Sequence, residues 1–171
     1  MSTTGTTAVP NPPAPFDAGE ATEGASPGLA KRHVARFFRS HELTTARALP
    51  GFRHSHASVG PLSLNHLTYG AETVIGMPPL RDFYLVQWTL AGAATYRHGD
   101  RADRAGPGDL FIVNPDRRHE KVWDPACTQL IVRIDRALVD EALGAWGADS
   151  GAALEPVVFT GGPTGETPRA A

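Results

Sequence analysis

The sequence predicts an all-β domain, an antiparallel barrel or sandwich flanked by two helices, on three observations. Short apolar runs follow one another at roughly the spacing of small-barrel strands, set off by Pro50-Gly51, Gly60-Pro61 and Gly70. The run Phe83–Leu90 is largely apolar on both of its alternating sides, which suits a strand covered on both faces. Helical spacing appears only near the two ends, around residues 27–40 and 136–146.

Residues 1–27 are rich in Thr, Ala, Gly and Pro, too poor in apolar surface to offset ordering, and are expected to form a disordered tail. Ser26-Pro27 then reads as an N-cap and first helical residue. Ala30, Val34, Phe37 and Phe38 lie on one face of a helix to about Ser40. Strands are expected at about 42–48, 52–59, 62–69 and 71–76, before the linker Met77-Pro78-Pro79. After Phe83–Leu90 come Gly92, a hairpin at His98-Gly99-Asp100, and the turn Gly106-Pro107-Gly108-Asp109. Pro presets φ in that turn, Gly accepts φ > 0, and Asp can bond the nearby backbone. Leu110–Val113 and runs near 118–123 and 127–134 complete the sheet strands. Asp135 is expected to cap a helix over 136–146 that Gly147 ends, and Pro156–Phe159 reads as a short last strand. The folded domain is thus placed at 28–160, with 161–171 a second disordered tail.

The stretch Leu90-Ala91-Gly92, then Pro107-Gly108-Asp109, four apolar residues, Pro115 and His119 resembles the cupin motif, with Asn114 and Asp116 departing from it. That likeness implies a cupin-like antiparallel β-barrel, a double-stranded β-helix. The wider run from VARFFRSHELTTARALPGF through DFYLVQWTLAG to CTQLIVRIDRALVDEAL is similar to the effector-binding half of AraC/XylS-family transcription regulators, over roughly residues 28–159. The resemblance implies transcription regulation, a small-molecule effector and a homodimer built on helices that follow the barrel. Family regulators carry two helix-turn-helix units after this region. The Gly- and Pro-rich residues after 146 cannot build them, so this chain is expected to lack a DNA-binding domain and not to bind DNA directly.

Composition narrows the alternatives. The chain has 171 residues and a formal charge of −2; beyond residue 27, 16 basic residues face 15 acidic ones. No basic stripe of the kind nucleic-acid binders carry is present. No apolar run approaches a membrane span and no leader pattern opens the chain. The single cysteine, Cys127, excludes an intrachain disulfide and reads as a small buried apolar residue. A cytoplasmic location without membrane association is expected.

Metal chemistry finds weak support. His54-Ser55-His56 puts two rings on one strand face, and His66 or His119 are the candidates to join them. The place where the resemblance puts cupin ligands holds Met77-Pro78-Pro79-Leu80-Arg81, and Leu85 stands where a carboxylate is expected. One remaining ligand, His119, does not hold a divalent ion. No cofactor or metal is expected, and no nucleophilic elbow or phosphate loop occurs.

The candidate site is therefore the interior. Tyr84, Val86, Trp88 and Leu90 form the more aromatic side of their strand and are expected inward, with Leu130, Val132 and Ile134. His119, Lys121 and Trp123 share a face, set inward by the motif register of His119. Tyr84, Trp88, His119, Lys121 and Trp123 would then line a ligand site suited to a small aromatic or acidic effector. Leu138, Ala142, Leu143 and Trp146 form an apolar stripe at helical spacing, the expected dimerisation seam. The resulting expectation is a non-enzymatic effector-binding and dimerisation domain. The alternatives are a metal-dependent cupin enzyme and a ligand-free dimerisation module that modulates a full-length regulator.

Overall fold

In a computed structural model of the chain, residues 22–45, 48–147 and 158–160 are described. The tail expected at 161–171, most of that expected at 1–27, and Pro156-Val157 lie outside the described residues. Residues 22–25, read from sequence as tail, instead form a strand, β1 (Thr22–Ala25). It pairs on β3 (Leu49–Val59) with a register shift between Glu23 and Ala25.

Between them, α1 (Pro27–Phe37) starts where Ser26 Oγ accepts from Leu29 N at 3.3 Å and Pro27 opens the first turn. It stops three residues short of Ser40. β2 (Glu42–Thr45), β4 (Leu62–Thr68) and β5 (Thr73–Met77) follow close to their expected places. The organising strand is β6 (Phe83–Ala91). Next come β7 (Ala94–His98), β8 (Arg101–Ala105), β9 (Leu110–Val113), β10 (His119–Trp123) and β11 (Thr128–Asp135). The chain then enters α2 (Arg136–Ala145) and ends its described part in β12 (Val158–Phe159).

Every strand pairing is antiparallel. They make two sheets, β1-β3-β4-β11-β6-β9-β12 and β2-β5-β10-β7-β8. Among the described residues the sheets face each other without joining edges, so of the barrel or sandwich expected the cupin-like body takes the sandwich form. Two glycine-dependent turns hold it together. Gly92 (φ 63°) follows β6 where a Cβ would meet Cys127 N at 2.4 Å, so a side chain there would collide with backbone. In the Pro107-Gly108-Asp109 turn, Gly108 N donates to Thr89 O and Asp109 Oδ2 accepts from Gly106 N at 2.8 Å. That turn ties the start of β9 to the last part of β6, at Thr89.

The core lies between the sheets. Phe52, Leu67, Tyr69, Leu85, Phe111 and Ile131 come from the larger sheet, and Ile75, Tyr96 and Trp123 from the smaller. Tyr96 stacks on Phe111 with ring centroids 3.8 Å apart, and Tyr69 meets Trp123 edge-on at 5.4 Å. Cys127 is buried, as expected, and burial pushes its thiol well above the usual range.

Candidate functional site

The parity of β6 decides what the interior offers. Leu85 pairs with Arg133, Gln87 with Ile131, and Thr89 with Gln129 across β11. These residues, with Phe83, face the opposite sheet. The expectation of Tyr84, Val86, Trp88 and Leu90 inward is overturned: Trp88 is 46% exposed on the outer surface, and Val86 and Leu90 are half-buried there. Tyr84 is buried, but on that same outer side, near the start of α2. Leu130, Val132 and Ile134 likewise turn outward beside them.

The reason is a polar chain that no single strand reveals. Gln87 Nε2 donates to Gln129 Oε1 at 3.1 Å, and Gln129 Nε2 donates to Tyr96 Oη at 2.8 Å and toward Thr89 Oγ1 at 3.4 Å. All four groups are fully buried. Buried amides are tolerated when they satisfy one another, so the less apolar side of β6 is the inner one.

On β10 the expected register holds. His119, Lys121 and Trp123 all point between the sheets, with exposures of 6%, 3% and 1%. Lys121 and Trp123 line an internal cavity together with Leu85, Gln87 and Ile131 from the larger sheet. Val34 and Phe38 roof it from α1, and His41 and Met77 stand at one side. Packing leaves about 20 Å³ for the centre of a water-sized sphere, room for about one water. His119 instead lines a broad open groove of about 730 Å³, with Arg39, Glu42, Arg97, Arg118 and Glu120. His41 and Met77 border both spaces.

The cavity walls are mostly apolar, yet several polar atoms there find no hydrogen-bond partner among the described residues. They are Trp123 Nε1, Gln87 Oε1 and His41 Nε2. Lys121 Nζ likewise makes no described hydrogen bond or ion pair. Burial drives the Lys121 pKa down to about 7, with the Cys127 thiol opposing the shift slightly. Burial also lowers the His41 pKa, against the backbone carbonyl of Arg39 that its Nδ1 meets at 2.9 Å. Leaving such groups unmatched is costly, on the order of 1–3 kcal/mol each. The sequence reading missed Gln87 and His41. The signal for Gln87 was available: Gln87 and Gln129 are amides placed mid-strand in otherwise apolar runs.

The histidine pair has another task. His33 Nε2 and His54 Nδ1 are 2.9 Å apart, and His54 Nε2 lies 3.2 Å from Asn65 Oδ1. Asn65 Nδ2 donates onward to Ser63 Oγ at 3.1 Å. With Asn65 accepting, His54 carries its proton on Nε2 and receives the His33 N–H on Nδ1. Burial first, then His33, brings the His54 pKa down to about 4. Phe37 packs between the two rings, 4.7 Å from His54 and 4.4 Å from His56. Both His54 nitrogens are thus engaged in fixing α1 to the sheet. His66 lies on the outer face beside Ser55 and His119 on the other sheet, so neither joins the pair. Among the described residues, no three His, Cys, Asp or Glu side chains gather in a metal-holding group.

The expected seam on α2 is exposed. Leu138 is 37% and Trp146 85% accessible, Ala142 is exposed and Leu143 half-buried, and no residue of the helix is buried. Asp135 stands at its N-cap without a side-chain capping bond; Arg136 instead anchors the start by gripping Asp116 at 2.7 and 3.1 Å. Among the described residues, no helix is long and apolar enough to cross a membrane.

Comparison with known proteins agrees with this architecture. The XylDLEGF operon transcriptional activator 3 of Pseudomonas putida is 26% identical over 119 residues, covering 69% of this chain and 36% of the activator. A second XylDLEGF operon transcriptional activator of that organism is 25% identical over the same length, covering 37% of its own. This chain therefore spans little more than a third of the activators it matches. The crystal structure of the AraC-like transcriptional activator CuxR shares the fold, with a TM-score of 0.59 over 74% of this chain and 51% of that one, at 14% identity. A family model described as the AraC-binding-like domain matches residues 30–171, which takes in α1 from Ala30 onward, every sheet strand after β1, and α2. With most of the sandwich, the roofing residues Val34 and Phe38 and the trailing helix inside that match, the chain belongs to the AraC-binding-like domain family.

Proposed function

We propose that this chain is the effector-binding and dimerisation domain of a transcription regulator, a cytoplasmic binding module rather than an enzyme. The effector would be a small acid held in the cavity between the sheets. The observation that carries the reading is the set of unmatched polar groups around one apolar cavity: Lys121, Trp123 Nε1, Gln87 Oε1 and His41 Nε2. A carboxylate supplies what two of them lack, an acceptor for the indole N–H and a counter-charge for the lysine. Because the cavity holds about one water, a ring-sized ligand takes the place of Val34 and Phe38 and lifts α1. The match to transcriptional activators supports regulation over catalysis. The exposed stripe of Leu138, Ala142, Leu143 and Trp146 supports self-association through α2.

The test uses the three tryptophans. Replacing Trp88 and Trp146 by Phe leaves Trp123 as the reporter. Titration with benzoate should shift its emission, whereas benzamide should bind at least tenfold more weakly. Lys121→Met should weaken benzoate binding by roughly 30-fold or more, the usual cost of removing a buried charge partner. No response to either would count for the ligand-free dimerisation module instead, and equal response to acid and amide would count against an acidic effector.

A further inference from the structure

The chain contains two lysines against 14 arginines. Guanidinium groups keep their proton in any protein environment, whereas a buried ammonium gives its proton up readily. Lys31 is partly exposed and paired with Glu42 at 2.8 Å. Lys121 is the opposite case. It is buried against Trp123, Leu85 and Ile131, has no carboxylate or other acceptor among the described residues, and opens on a void of one water's size. The titratable groups near it are His41 and Cys127, and neither supplies an anion at neutral pH, since burial lowers the imidazole and raises the thiol. The cation placed inside among the described residues is thus the kind that can become a neutral amine, and a neutral amine in an apolar cavity is a nucleophile.

We propose that Lys121 captures small aldehydes as a reversible imine. The Nζ lone pair attacks the carbonyl carbon to give a carbinolamine. Nitrogen then loses its proton, the hydroxyl leaves as water and a C=N bond replaces C=O, with no net redox change. The cavity suits this step: a carbonyl head is about the size of the space present, and dry apolar walls resist hydrolysis of the product. Access is also built in. The open groove and the cavity share His41 and Met77 as their common border, so a short chain on the aldehyde extends past these two side chains into the groove. His41 Nδ1 donates to Arg39 O, so its Nε2, without a described partner at this border, is an acceptor that can take the proton the nitrogen loses and return it to the leaving hydroxyl. The inference rests on the amine and its cavity, not on the effector being an acid.

Propanal with sodium cyanoborohydride at pH 7, followed by peptide mass spectrometry, tests it on the full chain. One propyl adduct is expected on Lys121, formed at least tenfold faster than on Lys31. His41→Ala should slow it, and Lys121→Arg should abolish it. Competition between the two lysines within one wild-type molecule carries the test even if the arginine variant folds poorly. Labelling of Lys31 or the N-terminal amine first, with Lys121 modified only after denaturation in urea, would overturn the proposal. Benzoate binding that depends on Lys121 without any propyl adduct there would leave the effector reading standing and sink this one.

Discussion

The two helices are nearly equal in length, 11 and 10 residues, and both carry an apolar stripe, yet they relate to the sandwich in opposite ways. α1 buries Ala30, His33 and Val34, is capped by Ser26, and is tied to the larger sheet through His33, His54 and Asn65. α2 buries nothing, is held at one end by the Arg136–Asp116 pair, and leaves its apolar stripe in solvent. A helix with its apolar face satisfied belongs to the domain's own core. α2 meets β6 and β11 only lightly: Val139 and Leu143 are half-buried, and Leu138, Ala142 and Trp146 stay open among the described residues. Under the proposed function the contrast divides the tasks: ligand entry would be felt at α1, which roofs the cavity, while α2 would hold an assembly.

The sharpest break of this comparison is a pair of matched substitutions. Val34→Asp puts a carboxylate into the cavity roof and should cost on the order of 3 kcal/mol or more. Leu138→Asp on α2 should cost the monomer less than about 0.5 kcal/mol. Urea midpoints of the two variants read the difference; similar losses would mean that α2 packs as α1 does.

A smaller effect comes from pH, through the joint that only α1 possesses. The folded pKa of His54, about 4, lies below its ordinary value of 6.5. Between those values the unfolded chain binds a proton that the folded one refuses. The contribution is therefore present above about pH 6.5 and lost as pH falls toward 4. Urea midpoints should drop over that window, and His54→Gln should flatten part of the slope; His41 and His66, lowered mainly by burial, act in the same direction. Lys121 acts in a different window: its lowered pKa makes stability rise with pH from about 7 toward 10.5. A wild type with no acid-side slope would remove the histidine joint from the account.

The smallest effect on folding should be the most visible in mass. Leu143→Glu is expected to leave the urea midpoint of the isolated monomer almost unchanged while halving the sedimentation mass of a dimeric wild type. A wild type that sediments as a monomer ends the seam proposal, and a variant that stays dimeric moves the seam elsewhere.

Most element positions were legible because the sequence punctuates them. Gly60-Pro61 and Pro107-Gly108-Asp109 do the same work in the fold as their chemistry foretells, and Ser26-Pro27 starts α1 as read, whereas Pro50-Gly51, expected to separate two strands, lies inside β3. Half of the interior was legible too, since the position of His119 in its motif set Lys121 and Trp123 on the inner side. β6 was misread because apolar content was used to choose its face. Tyr84, Val86, Trp88 and Leu90 are the more apolar side, but the satisfaction of Gln87 depends on Gln129 and Tyr96, which lie 42 and nine residues along the chain. Pairing partners across a sheet are a property of topology, which one strand's pattern does not encode. The same holds for β1, whose short polar sequence earns its place only by pairing with β3.

The amide chain has a consequence for how the sheet finds a single arrangement. With apolar side chains on both faces of β6 and β11, a one-residue slip would exchange one apolar set for another, and hydrophobicity alone would hardly object. Polarity breaks the tie. If β6 slipped alone, the Gln129 amide would stay inside with its Gln87 donor gone; if β11 slipped alone, Gln87 would be stranded; if both slipped, Tyr96 Oη would lose its partner. Each alternative leaves a buried group unmatched at roughly 1–3 kcal/mol, so two glutamines and a tyrosine act as the key that fits this sheet together in one way.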